Sequence, residues 1–316
     1  MSSVHVEDLK KYYGAVHALD GLNLDVAPGT VYGFLGPNGA GKTTTILMLL
    51  GILKPDQGSA TVCGEKVGPA HKETRRLIGA VSEHSFLYPE MTVVDYLSFF
   101  AGIYRVGQPE KRIDEVLEEL MLVKRRNHLA GSLSKGLQQK LSLARALLHE
   151  PPVLILDEPV SGLDPHGMRE VREIIIQQRN RGKSILLSSH ALSEIERFAD
   201  RVGIIRDGRL LVEATPAELQ AQTAGVLKLE VELDRSGEPF EGAVRKIPGV
   251  VAVEHDQGRM SITIDGSNRA QARQSVSRTL TGAGATILGL REVKGSLEHA
   301  FVTLTQSGTS PEGQAP

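Results

Sequence analysis

The residues Gly36, Pro37, Asn38, Gly39, Ala40, Gly41, Lys42, Thr43 and Thr44 form one run whose types and spacing suit phosphate chemistry. Glycines let successive backbone amides turn inward around a row of phosphate oxygens, and a helix starting directly afterwards adds its N-terminal dipole. Lys42 would reach the outer phosphates of a nucleoside triphosphate, and the Thr43 hydroxyl is a ligand for Mg²⁺. A chance glycine-rich turn is the plainer reading. It does not require an apolar strand before the run, "VYGFL", or an apolar helix after it, "TTILMLLGIL".

A second group of residues fits the same chemistry. Asp157 and Glu158 follow the aliphatic run "VLIL", so both acids emerge where a buried strand ends. Asp157 is expected to hold Mg²⁺ through water, and Glu158 to take a proton from water attacking the terminal phosphate. His190 ends "SILLSSH" and is expected at the γ-phosphate. Tyr13, in "KYYGAVHAL", is either a packing aromatic or a platform for adenine. "LSKGLQQK" at 133–140 opens a helix with a hydroxyl, a lysine and a glycine, as an anion site would.

These residues need elements to position them. The runs at 31–36, 153–157 and 184–190 are apolar throughout and separated by helical patterns, which predicts an α/β fold with a parallel sheet covered on both faces. The stretch "RIDEVLEELMLVKRR" predicts a helix with Ile113, Val116, Leu117, Leu120 and Met121 on one stripe, and Lys124, Arg125 and Arg126 in its last turns. "VGIIRDGRLLV" at 202–212 reads as a hairpin about Asp207 and Gly208. Beyond residue 226 the order becomes strand, short helix, hairpin near Gln257-Gly258, helix "RAQARQSVSRTL", strand "ATILGLREV", then the helical "SLEHAFVTL" with Leu297, Phe301 and Leu304 on one face. That order predicts a smaller split βαβ, ferredoxin-like α+β domain. The expected boundaries are a first domain at 1–216, a linker at 217–225, a second domain at 226–305 and a disordered tail at 306–316.

Composition sets bounds. A chain of 316 residues, 41% hydrophobic and 23% charged, is ordinary for a globular protein with a sizeable core. Its net charge of −2 removes the electrostatic pull expected of a nucleic-acid binder. One cysteine, Cys63, excludes an internal disulfide and suits a reducing compartment. No leader-like apolar segment opens the sequence, and the longest apolar run, at 46–53, is far short of the ~20 residues that cross a bilayer. Any membrane role is expected to run through a partner.

Taken together, "GPNGAGKT", "LSKGLQQK", "LILDEP", "SGLD" and "SSH" make the sequence resemble the ATP-binding subunits of ABC transporters over residues 4–215. It is most similar to the separately encoded ATPases of bacterial exporters for drugs, antibiotics or sodium, which often end in a "SLEDxF"-like helix, here "SLEHAF" at 296–301. The resemblance implies a P-loop NTPase cassette of the ABC type, a mixed sheet core with a helical subdomain at about 84–150, and the smaller C-terminal domain. It also implies a transport-coupled ATPase using ATP and Mg²⁺, a second copy of the subunit, an integral membrane permease as partner, and a place on the cytoplasmic face of the membrane. On that model Ser134 and the Gly136 amide cap the γ-phosphate held by the other copy, Tyr13 stacks on adenine and Asp164 lines the dimer seam.

Three positions depart from the family's pattern. Lys135 stands where glycine is usual and suits a phosphate of the partner, whereas Leu137 replaces a glutamine and cannot hydrogen-bond a ligand. Glu83 aligns with the family's metal-sensing glutamine; it can still ligate Mg²⁺, yet its charge would repel the γ-phosphate. Tyr96, Phe99, Phe100 and Tyr104 share helical spacing and are expected mostly as core, with Phe86 and Tyr88 left for the permease. A soluble ABC ATPase acting on ribosomes or DNA, and a regulatory nucleotide-binding module without turnover, are the alternatives. A single motif set and near-neutral charge count against the first, and Glu158 with His190 against the second.

Overall fold

The computed structural model describes residues 2–83, 86–190, 192–223, 226–256, 258–265 and 269–293. The expected helix about "SLEHAFVTL", the tail at 306–316 and Gln257 of the hairpin turn lie outside the described residues. The chain divides into two compact units, Met1–Thr215 and Pro216–Pro316.

In the first unit, the apolar runs form strands β3 (Val31–Leu35), β7 (Val153–Leu156) and β8 (Ser184–Ser189), every residue of which is buried. Strands with helices on both faces have no solvent side, so their sequences do not alternate. With β6 (Ile78–Val81), β9 (Arg201–Arg206) and β10 (Arg209–Ala214) they make a sheet ordered β10-β9-β3-β8-β7-β6. It is parallel from β9 to β6, and β10 is an antiparallel edge. The β9–β10 hairpin turns at Asp207 (φ 50°) and Gly208 (φ 73°), the left-handed pair that a two-residue hairpin demands. A second sheet, ordered β2-β1-β4-β5, packs Val4, Val6, Leu9, Leu19, Leu22, Leu24 and Val26 into the same core; it contains β1 (Val4–Tyr13), β2 (Val16–Val26), β4 (Gln57–Val62) and β5 (Glu65–Lys66).

Three helices follow β6: α2 (Val93–Tyr104), α3 (Pro109–Glu119) and α4 (Lys135–Leu147). Thr92 caps α2, accepting from Asp95 N at 3.2 Å. In α3, Ile113, Val116 and Leu117 are buried as the spacing predicts, and Leu120 just past its end is also buried. The helix is shorter than expected, however. Met121 turns left-handed (φ 58°) and is 55% exposed, and Lys124 and Arg125 fall in a separate 3-10 turn, so these residues do not complement the helix dipole. Of the aromatics expected as core, Tyr96 is fully buried but Phe99 is 44% exposed, its ring edge-on to Tyr88 with centroids 5.8 Å apart.

The second unit begins with a helix, Pro216–Thr223, which starts at the last residue expected for the first domain and runs into the segment expected as a linker. Its sheet joins β11 (Val226–Leu233), β12 (Val250–Asp256), β13 (Arg259–Asp265) and β14 (Ile287–Val293) in the order β12-β13-β11-β14, antiparallel throughout. A one-turn helix at Glu241–Val244 and the helix Arg269–Gly282 intervene, giving the split βαβ arrangement that the element order implied. Alternate residues Leu229, Val231 and Leu233 face a core completed by Phe240, Val244, Val276 and Leu280.

Candidate functional site

Several of the residues singled out in the sequence sit where strands of the parallel sheet run out. The glycine-rich run follows β3, Glu83 follows β6, Asp157 and Glu158 follow β7, and His190 follows β8. The register keeps these ends close: Leu35 pairs with Ser189, Leu156 with Leu187 and Val81 with Leu156. The carboxyl edge of an open α/β sheet is where its crevice opens. Pro37, Asn38, Gly39, Gly41, Lys42, Thr43, Thr44, Glu83, Asp157, Glu158 and His190 line one cleft of about 190 Å³ there.

The loop is shaped by its glycines. Gly39 and Gly41 take φ of 83° and 111°, and a Cβ on Gly41 would lie 2.6 Å from the Ala18 carbonyl oxygen. A Cβ on Gly36 would come within 2.5 Å of the Ile205 oxygen. The loop is thus pressed between β2 and β9. The β9–β10 turn holds it from behind, since Gly208 N donates to Ala40 O at 3.1 Å while Gly208 O accepts from Asp20 N at 3.0 Å. Gly36 and Ala40 consequently serve as frame and do not line the cleft, unlike the rest of the run.

Lys42 opens helix α1 (Lys42–Leu49) and is buried, donating to Gly36 O at 2.6 Å and Pro37 O at 3.3 Å. Burial pushes its pKa down, while the Glu158, Asp157 and Glu83 charges oppose that. Its Nζ lies 3.8 Å from Glu158 Oε1. The positive charge is therefore held at the centre of the loop, where phosphate oxygens would gather.

Asp157 and Glu158 are both buried, yet they face different ways. Asp157 Oδ2 is 3.4 Å from Thr43 Oγ1, and its other oxygen accepts from Ser188 Oγ. Two hard oxygen donors side by side suit Mg²⁺. No group of three His, Cys, Asp or Glu among the described residues could hold an ion alone. The donor set fits an ion whose remaining ligands are phosphate oxygens and water, with Glu83 at the rim as the further carboxylate. Glu158 has a left-handed backbone (φ 48°), which aims its carboxylate toward His190; His190 Nδ1 donates to Glu158 Oε2 at 2.9 Å. Burial raises the Glu158 pKa above the usual carboxylate range, and the His190 contact partly offsets it. A raised carboxylate pKa and a fixed histidine suit a general base.

Ser134, Lys135, Gly136 and Asp164 are elsewhere. They line a second hollow of about 280 Å³ with Leu137, Gly162, Leu163, His166, Gly167 and Glu170, sharing no residue with the first. Ser134 caps α4 and Asp164 caps α5 (Pro165–Asn180), accepting from Gly167 N at 2.7 Å, so two helix N-termini converge on it. Lys135 lies across Gly162, whose added Cβ would meet Lys135 Nζ at 2.1 Å. Tyr13 lines neither hollow. Its ring, 52% exposed at the β1–β2 turn, has Lys11 Nζ 5.6 Å from its centroid.

The sequence reading gives Ser188 no role and takes Gly208 only as a hairpin turn. Both contact site residues, and their positions in "SSH" and "DG" were the available signal.

The family model described as "ABC transporter" matches residues 19–161. The bacitracin transport ATP-binding protein BcrA of Bacillus licheniformis is 37% identical over 313 residues, covering 97% of this chain and 98% of that protein. The daunorubicin resistance ATP-binding protein DrrA3 of Streptomyces coeruleorubidus is 35% identical, covering 96% of each. A solved ATP-binding subunit of an ABC transporter superposes with a TM-score of 0.64 at 32% identity, covering 70% of this chain and 93% of the other. The cassette MJ0796, solved as a dimer in a post-hydrolysis state with ADP and Pi, superposes at 0.62 and 25% identity, covering 67% of this chain and 98% of that one.

Proposed function

The chain belongs to the ATP-binding subunits of ABC transporters, and from that premise we propose that two copies close head to tail on two ATP molecules to drive export by a separate membrane permease. It is an ATPase subunit: the cleft behind β3 binds ATP, and hydrolysis is the reaction it supports. The observation that carries the head-to-tail reading is the separation of the two hollows on one chain. The first holds the phosphate loop with Lys42, Asp157, Glu158 and His190; the second has no such loop and is built on two converging helix N-termini with Ser134 and Lys135, beside His166 and Glu170. A phosphate bound in the first has the second copy's hollow available to cover its open side, so each copy completes the other's site.

Within the site, Lys42 and the loop amides bind the phosphates, and Tyr13 offers its exposed face to adenine. Thr43, Asp157 and Glu83 would hold Mg²⁺, which when bound neutralises phosphate charge. Glu158 takes the proton of the attacking water, held in place by His190, and Asp164 sets the angle of α5 at the seam. ATP contacts made only in the closed pair shift the population toward closure, and hydrolysis releases it. No described helix is long and apolar enough to cross a membrane. The exposed aromatics Phe86, Tyr88 and Phe99 are the surface offered to the permease. The relatives named for bacitracin transport and daunorubicin resistance support an exporter of antibiotic-like cargo, working from the cytoplasmic face of the membrane.

Mixing two inactive variants tests the shared site. Lys42→Ala loses the loop and Ser134→Tyr blocks the hollow. An equimolar mixture recovers about a quarter of wild-type turnover if sites form across copies, because half the dimers are mixed and each has one intact site. A mixture as inactive as its components would place each site within one chain and end the proposal.

A further inference from the structure

We infer that Ser188 is a positioning residue for hydrolysis, its one hydroxyl assigning Asp157 and Glu158 their separate directions. The inference rests on the reading of Glu158 as the base. Ser188 lies on β8 and is fully buried. Its Oγ donates to Asp157 Oδ1 and accepts from Glu158 N at 2.9 Å. A hydroxyl has one proton to give and lone pairs to receive with, so both bonds form at once.

Each bond has a consequence for the reaction. Holding Asp157 Oδ1 leaves Oδ2 turned to Thr43 Oγ1. Holding Glu158 N fixes a backbone with φ of 48°, a conformation that non-glycine residues adopt only under constraint. The same peptide in the ordinary helical or extended region would swing the Glu158 carboxylate away from His190. Two residues after Ser188 the same segment supplies His190, whose Nδ1 holds Glu158 Oε2. The end of β8 therefore grips the base at both its backbone and its carboxylate. Ser188 does not itself line the cleft, so its effect on the reaction passes through the two acids that do.

The test compares the full-length wild type with Ser188→Ala, Ser188→Thr, Ser188→Cys and Glu158→Gln. It measures kcat, KM, the Kd of a fluorescent ATP analogue without turnover, and the melting temperature. Ser188→Ala is expected to lose about 10- to 100-fold in kcat, the scale of a misplacement near 1 Å, with Kd and KM within about threefold of wild type. Ser188→Thr keeps the hydroxyl and should recover most of kcat; should its extra methyl lower the melting temperature sharply, Ser188→Cys should recover part. Unchanged kcat in Ser188→Ala would overturn the inference. So would an equal loss in all three variants, or a loss in kcat matched by the loss in Kd. Glu158→Gln separates the two readings: if it hydrolyses ATP at the wild-type rate, the base assignment itself fails, whereas an inactive Glu158→Gln beside a normal Ser188→Ala removes only the role given to Ser188.

Discussion

Replacing Glu158 by glutamine should separate activity from stability, because the structure makes this carboxylate useful in one and costly in the other. Glutamine is nearly the same shape and can still accept from His190, but it cannot take a proton from water. A positioned general base contributes about 10²- to 10⁴-fold, so kcat should fall by at least about 100-fold while ATP still binds. The effect on stability is a small difference between large terms. Glu158 attracts Lys42 across 3.8 Å, worth on the order of 4 kcal/mol at an effective dielectric of 20. Burying the carboxylate costs several kcal/mol in return, and Lys42 keeps its bonds to Gly36 O and Pro37 O in the variant. The net change should stay within roughly 2 kcal/mol of zero.

The pH dependence fixes the sign. Burial dominates at Glu158 and raises its pKa in the fold, so the folded chain holds this proton more tightly than the unfolded chain does. Its contribution is fully present below the ordinary carboxylate range and is lost as pH rises through the raised value. Melting temperatures of wild type and Glu158→Gln, measured without nucleotide from pH 4 upward, should therefore diverge across that window, with the wild type losing ground as pH rises. The acid limb of wild-type kcat should lie in the same window. A variant that hydrolyses ATP normally, or a wild type that gains on the variant as pH rises there, would refute the reasoning.

Gly208→Ala should damage the phosphate loop from outside the cleft. Its φ of 73° and a Cβ only 2.7 Å from Leu19 Cα force the turn off Ala40 O, at a cost of at least about 1–2 kcal/mol for the left-handed backbone alone. The melting temperature should drop and the KM for ATP should rise; an unchanged KM would show that the turn does not position the loop. Lys135→Gly should weaken ATP-dependent dimerisation by about tenfold, the worth of one charge-assisted bond to phosphate. Equal dimer affinity by light scattering would leave Lys135 only its contact across Gly162.

The chemistry of this protein was legible where local sequence and local structure are the same thing. A loop of Gly39, Gly41, Lys42 and Thr43 between an apolar strand and a helix needs only its own backbone, and the acids after "VLIL" emerge from a strand end wherever that strand lies in the sheet. Strands buried on both faces, the Asp207-Gly208 turn and the stripe Ile113, Val116 and Leu117 were likewise written in period and turn type. Strand β6 and the pairing of β1 with β2 were not legible, because a four-residue strand has too little period and a bulged one breaks its alternation. Met121 was misread for a related reason: periodicity continues past the residue at which a left-handed turn ends the helix. Only the tertiary structure decided that Ser188, thirty residues along, bonds both acids, that Gly208 braces Ala40, and that Lys135 lies over Gly162 away from Lys42. Those contacts join distant positions through sheet order and register, and register is set by how many strands find partners at once, a property that no single segment carries.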